Sequence, residues 1–261
     1  MAIERIVPGT AEWEAFYGNH IQRYRFAKER LDIIKPRKIL DAACGVGYGS
    51  NFLQQQGDIE IVAIDRSKDA LAIANKQFVS GKVKFMEDDC HTLARSAESA
   101  PFDAIVSFET LEHLPQPEAF LKSCNRVLKN GGMLVISTPN SCVSSPDGKL
   151  EWEFHEKEYN PFEFVELLEK NGFGNIELYG QHLNETGRLK VQLRASLNVL
   201  YSNPFIRLGR WLQSTFRGRK FGPVLPELEE DLVIRPHSSP EEIYEAGTKG
   251  PFVLIAVAYK E

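Results

Sequence analysis

Residues 39–50 of this chain read ILDAACGVGYGS, an apolar run that ends on an acidic residue and enters a turn with glycines at alternate positions. Gly45, Gly47 and Gly49 permit positive φ and let backbone approach a ligand closely, where any side chain would obstruct. A second apolar run, IEIVAID, ends on Asp65, twenty residues after Gly45. In an α/β nucleotide-binding fold, that spacing brings a carboxylate to a ribose. The pattern therefore points to a cofactor loop, with a glycine-rich turn lacking any ligand as the competing reading.

Asp41 narrows the ligand. A dinucleotide loop sets its pyrophosphate against a helix N-terminus, so a carboxylate at the strand end beneath it opposes that charge. The glycines also run G-x-G-x-G, without the third glycine of G-x-G-x-x-G. A ligand with ammonium and sulfonium charges and no phosphate suits Asp41 better; S-adenosylmethionine is such a ligand. Here the chain resembles the class I S-adenosylmethionine-dependent methyltransferases of type 11 and 12, whose first motif usually reads L-D-x-G-C-G-x-G. It departs at Ala43, a change expected to be tolerated with Ala43 at negative φ.

Later segments extend the resemblance. KFMEDDC looks like the third-strand motif, implying that Asp89 meets the adenine amino group and Cys90 offers a backbone amide, with Asp88 as the register alternative. FDAIVSFETLEHL and RVLKNGGMLVISTPN resemble the fourth- and fifth-strand segments. The implied cofactor-binding set is Asp41, Ala43, Gly45, Gly47, Tyr48, Asp65, Arg66, Asp89, Cys90 and Phe108, joined by Arg23 and Tyr24 from the N-terminal helix. In GNHIQRYRFAKERL, His20, Tyr24 and Ala27 or Lys28 share a face, and similar enzymes lay such a helix over the cofactor. Arg23 as an ion-pair donor, or the Tyr24 hydroxyl, can then bind the methionine carboxylate.

Apolar runs at 38–40, 59–64, 82–86, 104–108 and 133–137 alternate with helical patterns at 20–34, 50–56, 68–78, 117–128 and 161–171. This order predicts an α/β, Rossmann-like, doubly wound sheet of seven mostly parallel strands, whose ligands bind at the strands' C-terminal ends. Gly131 and Gly132 read as the stop after the fourth helical pattern. The last run, 251–260, predicts an antiparallel final strand paired near 176–180. The expected organisation is an N-terminal helical lid (1–34), a cofactor-binding core (35–181), a helical acceptor-side insertion (182–250) and the final core strand (251–261).

SFETLEHL carries the chemical question. As a helix it places Glu109 beside both Glu112 and His113, and His155 in EFHEKEY follows the fifth strand. The set Glu109, Glu112, His113 and His155 resembles the E-x-x-E-H pattern plus downstream histidine of small-RNA 2'-O-methyltransferases, and the acidic pattern of ubiquinone-pathway O-methyltransferases. The resemblance implies a divalent metal, which the donor types leave open among magnesium, manganese and zinc. The same residues also serve without metal, His113 or His155 as general base and Glu109 beside the cofactor, because imidazole exchanges protons near neutrality.

The formal net charge of -5 argues against nucleic-acid binding by the whole surface. Four cysteines, Cys44, Cys90, Cys124 and Cys142, form no C-x-x-C pair. With no apolar leader or spanning run, they predict a soluble, cytoplasmic protein. Residues 182–250 are expected to set the acceptor through two helices broken at Asn203 and Pro204. Arg207, Arg210, Arg217, Arg219 and Lys220 surround an apolar stripe there, suiting an anionic substrate or a membrane surface, or else a solvated cover. The pattern resembles bacterial enzymes of surface-polysaccharide or secondary-metabolite pathways, implying O-methylation of a small-molecule or glycan-like acceptor. An RNA 2'-O-methyltransferase, a noncatalytic S-adenosylmethionine-binding module and, more distantly, an NAD oxidoreductase are the alternatives.

Overall fold

The structure is a computed structural model and describes residues 7–55, 59–78, 81–150, 152–187, 189 and 232–261. Its sheet is built from β1 (Lys38–Ala42), β2 (Glu60–Asp65), β3 (Val83–Glu87), β4 (Phe102–Phe108), β5 (Leu128–Pro139), β6 (Phe173–Leu183), β7 (Leu232–His237) and β8 (Val253–Lys260). The helices are α1 (Ala11–Ile34), α2 (Tyr48–Gln54), α3 (Lys68–Gln77), α4 (Pro117–Val127), α5 (Ser141–Ser144), α6 (Pro161–Lys170) and α7 (Pro240–Ala246). Strand order is β3-β2-β1-β4-β5-β8-β6-β7. The first five are parallel, while β8 runs antiparallel to both β5 and β6.

Period-two alternation assigns each strand's side chains to two cores. Leu40, Val62, Ile64, Ile105 and Leu134 pack with Phe120 and Leu121 of α4 and with Phe164 and Leu168 of α6. Ile39, Ile61, Ala63, Val106 and Val135 pack on the other face with Ile21, Tyr24, Ala27 and Leu31 of α1 and Leu53 of α2. Strands covered on both faces are expected to read as continuous apolar runs. Chain order reverses between β1 and β4, which opens the ligand crevice at their C-terminal ends. Asp41 lies near the end of β1, and Glu109 directly follows β4.

Two expectations are corrected here. The sheet has eight strands, because Leu232–His237 extends the edge beside β6. A proline-bearing strand is tolerated only at an edge or bulge, and Pro236 lies in this edge strand. Second, α4 ends at Val127, and Gly131 and Gly132 lie inside β5 where its register against β4 shifts; Gly131 has φ 70°. Those glycines shape a bulge instead of stopping the helix. The pairing of the last strand near 176–180 is present, with Tyr179 opposite Ile255. Among the described residues, no helix is long and apolar enough to cross a membrane. Arg207, Arg210, Arg217, Arg219 and Lys220, with the helix break at Asn203 and Pro204, lie outside the described residues.

Candidate active site

The loop after β1 departs from expectation at Ala43, whose φ is +64°. In this left-handed region the Cβ approaches the following carbonyl, costing about 1–2 kcal/mol. The usual glycine of the motif is thus explained by conformation, and alanine here is strained, not neutral. The strain is held by the Cys44 amide, which donates to Ile64 O at 2.7 Å.

The three glycines divide their work. A Cβ at Gly45 (φ 56°) would meet nothing within 4 Å, so this residue faces open space. One at Gly47 would lie 2.6 Å from the Phe85 ring, and one at Gly49 would lie 2.0 Å from the Tyr24 ring. Gly47 and Gly49 therefore serve close packing of α2 instead of close approach of a ligand. Asp65 secures the loop: its Oδ2 accepts from the Gly45 amide at 3.0 Å and its Oδ1 from the Ser67 amide at 2.8 Å.

Asp41 is fully buried. It accepts from the Ser50 hydroxyl at 2.5 Å and from the Tyr24 hydroxyl at 3.2 Å. Burial pushes its carboxyl up to about 7 despite those donors, with the nearby Asp65 charge adding to the rise. Tyr24 is thus committed to Asp41, and its ring meets Phe108 edge-on at 4.9 Å. Tyr48 joins Trp13 and Tyr17 at ring separations of 5.4 and 5.6 Å.

Arg23 is the buried cation of the site, 1% exposed. Its Nη1 donates to Gln181 Oε1 at 2.7 Å, while Gln181 Nε2 donates back to Asn19 O at 3.0 Å. Its Nη2 stands 4.0 Å from Glu109 Oε2, and both Nε and Nη2 lack hydrogen-bond partners. Glu109 itself is strained at φ 52°, and its Oε1 accepts from the Ser137 hydroxyl at 2.7 Å.

After β3, Asp88 is buried and consumed by the loop, accepting from the Ser96 amide (2.7 Å) and hydroxyl (2.6 Å) and from the Asp89 amide (2.9 Å). This leaves Asp89 as the outward carboxylate of the pair. It accepts from the His91 amide at 2.8 Å, and that bond, with the His91 ring, holds it below the usual carboxylate range. Arg66 is exposed and Cys90 half-buried.

Of the expected quartet, three residues converge. Ligand atoms of Glu112, His113 and His155 lie within 4.8 Å of one another, and Glu109 is not among them. The segment is not an α-helix: only Leu111–His113 forms a 3-10 turn, and Glu109 at positive φ points its carboxylate to Ser137 and Arg23. Glu112 is buried, with Oε2 accepting from Thr138 at 3.1 Å and Oε1 without a partner. Burial, then the Glu109 charge, pushes its carboxyl well above the ordinary range. His113 Nδ1 lies 3.0 Å from Phe154 O, an acceptor only, so this nitrogen carries the proton. Its Nε2 lies 3.9 Å from Glu112 Oε1. His155 Nδ1 meets Glu158 Oε1 at 2.7 Å, and the two imidazoles stand 4.9 Å apart.

Glu158, Thr138, Ser137 and Gln181 escaped the sequence reading. Only Glu158 had a local signal, three residues beyond His155.

Residues 40–136 match the family model for a methyltransferase domain. A protein of Mycolicibacterium smegmatis described as "Probable S-adenosylmethionine-dependent methyltransferase" is 33% identical over 65% of this chain and 63% of its own length. The chain thus spans less than two thirds of that relative. The ubiquinone biosynthesis O-methyltransferase of Pasteurella multocida is 24% identical over 69% of this chain and 84% of that protein. Among solved structures, an S-adenosylmethionine-dependent methyltransferase of Thermotoga maritima, "possible histamine N-methyltransferase", superposes with a TM-score of 0.55 at 16% identity, covering 94% of this chain and 95% of that one.

Proposed function

We propose that this chain is a class I S-adenosylmethionine-dependent methyltransferase that transfers the methyl group to oxygen on a small-molecule or glycan-like acceptor. The observation that carries the cofactor side is Arg23. A buried guanidinium with two unfilled donors costs free energy unless a ligand fills them, and the methionine carboxylate of the cofactor offers two oxygens in matching geometry. In this reading Asp65 accepts from the ribose hydroxyls, Asp89 faces the adenine amino group beside the Cys90 amide, and Gly45 provides the open backbone between them. An Arg23→Met variant should bind S-adenosylhomocysteine more weakly. It should bind 5'-methylthioadenosine, which lacks the amino-acid portion, as wild type does. Equal loss for both ligands would contradict the assignment.

The sulfonium supplies its own leaving group, so the protein has to place the acceptor in line and take its proton. His113 and His155, each with Nδ1 beside an acceptor, are the bases this reading assigns to that step. The O-methyltransferase of Pasteurella multocida supports oxygen as the methylated atom. The expectation of an RNA acceptor predicts strong salt dependence of acceptor binding, and a noncatalytic binding module predicts cofactor binding without turnover on any acceptor.

A second reading adds a divalent ion. One orphaned carboxylate oxygen on Glu112 and two imidazoles form a donor set that manganese or zinc suits and magnesium accepts less readily. Glu112, His113 and His155 would hold it, and the ion would orient the acceptor hydroxyl and lower its proton affinity. Calorimetric titration of Mn2+ into wild type and Glu112→Gln tests this; equal heats from both would remove the metal.

A further inference from the structure

Three of the large apolar side chains exposed among the described residues, Leu150 (42%), Trp152 (53%) and Phe154 (44%), fall within one short segment after β5. Scattered exposed apolar residues need no explanation, but a cluster beside a polar site does. This one is tied to the site. Phe154 O binds His113 Nδ1, and the Glu156 and Lys157 amides donate to Glu112 O at 2.7 and 3.3 Å. The Trp152 ring centroid lies 6.3 Å from that of His155, which lies 4.9 Å from that of His113. A row thus runs from an exposed indole through two imidazoles to the buried Glu112.

We propose, resting on the methyl-transfer reading above, that Trp152 and Phe154 seat the acceptor and that the acceptor carries its reacting hydroxyl on an aromatic ring. The polar groups along the row decide between a ring and a sugar. Glu112 Oε2 is taken by Thr138, the Nδ1 atoms of His113 and His155 by Phe154 O and Glu158, and Glu158 also accepts from Ser144. Glu112 Oε1 has no partner, and the other imidazole nitrogens serve the single reacting hydroxyl in the methyl-transfer reading. A sugar needs partners for a hydroxyl on nearly every carbon. A phenol or catechol needs one or two, with an apolar body that stacks on indole and phenyl faces.

The test uses wild type, Trp152→Ala, Trp152→Phe and Phe154→Ala, each saturated with S-adenosylhomocysteine and titrated calorimetrically with 4-methylcatechol or methyl α-glucoside. Wild type should bind the catechol and prefer it to the glucoside. Trp152→Ala should weaken that binding about tenfold, while Trp152→Phe retains most of it. S-adenosylhomocysteine affinity should not change in any variant. Catechol binding by Trp152→Ala equal to wild type, no catechol binding at all, or preference for the glucoside would each overturn the seat. Failure of S-adenosylhomocysteine itself to bind would instead remove the methyl-transfer reading and the proposal with it.

Discussion

Arg23 Nη2 and Glu109 Oε2 face each other across 4.0 Å at the C-terminal ends of β1 and β4, close enough to attract and too far to hydrogen-bond. Opposed charges of this kind complement a zwitterion such as the amino-acid end of the cofactor. Charge-assisted hydrogen bonds are worth about 1.5–3 kcal/mol each, so Arg23→Met should reduce S-adenosylhomocysteine affinity at least tenfold. Glu109→Gln keeps the shape and removes the charge, and should weaken the same ligand by a smaller factor. Calorimetry on both variants checks the pair, and wild-type affinity in both would remove it from the site.

Ala43→Gly should stabilise the protein. Relief of the left-handed Cβ strain at φ 64° gains about 1–2 kcal/mol, and the added chain entropy of glycine offsets about 0.5–1 kcal/mol of it. A net gain near 1 kcal/mol raises Tm by a few degrees. A lower Tm in thermal unfolding would show that Ala43 is not strained.

The cofactor loop was legible from sequence because glycines and strand-end acids are local signals. Their division of labour was not. Gly49 is required by Tyr24, which reaches it from α1, and no pattern within ILDAACGVGYGS reveals that neighbour. Glu109 was grouped with Glu112 and His113 by helical spacing, and a left-handed backbone at a glutamate broke that spacing. The five parallel strands were readable as apolar runs buried on both faces, whereas β7 carries Arg235 and Pro236 at the sheet edge and gave no such run.

The buried Asp41 makes the ligand-free protein sensitive to pH. Its carboxyl is raised from 3.8 to about 7, so the folded state binds a proton that the unfolded state has released between those values. The stability it contributes is full below about pH 4 and is lost as pH rises through about 7. Glu112, also raised by burial, acts in the same direction. Denaturant unfolding should therefore show wild type losing stability between pH 5 and 8 relative to Asp41→Asn, whose curve is flatter. Parallel curves would contradict the raised carboxyl.

Asp65→Ala should weaken S-adenosylhomocysteine by roughly 2–5 kcal/mol and also lower Tm, because it orphans the Gly45 and Ser67 amides that the carboxylate holds. Unchanged affinity with a lowered Tm would confine Asp65 to a structural role.

The identity of the cofactor is tested most directly by calorimetric titration of the purified protein with S-adenosylhomocysteine and, separately, with NAD. Saturable one-to-one binding of S-adenosylhomocysteine, with no heat from NAD, is the predicted result. Saturable binding of NAD with no response to S-adenosylhomocysteine would contradict the account.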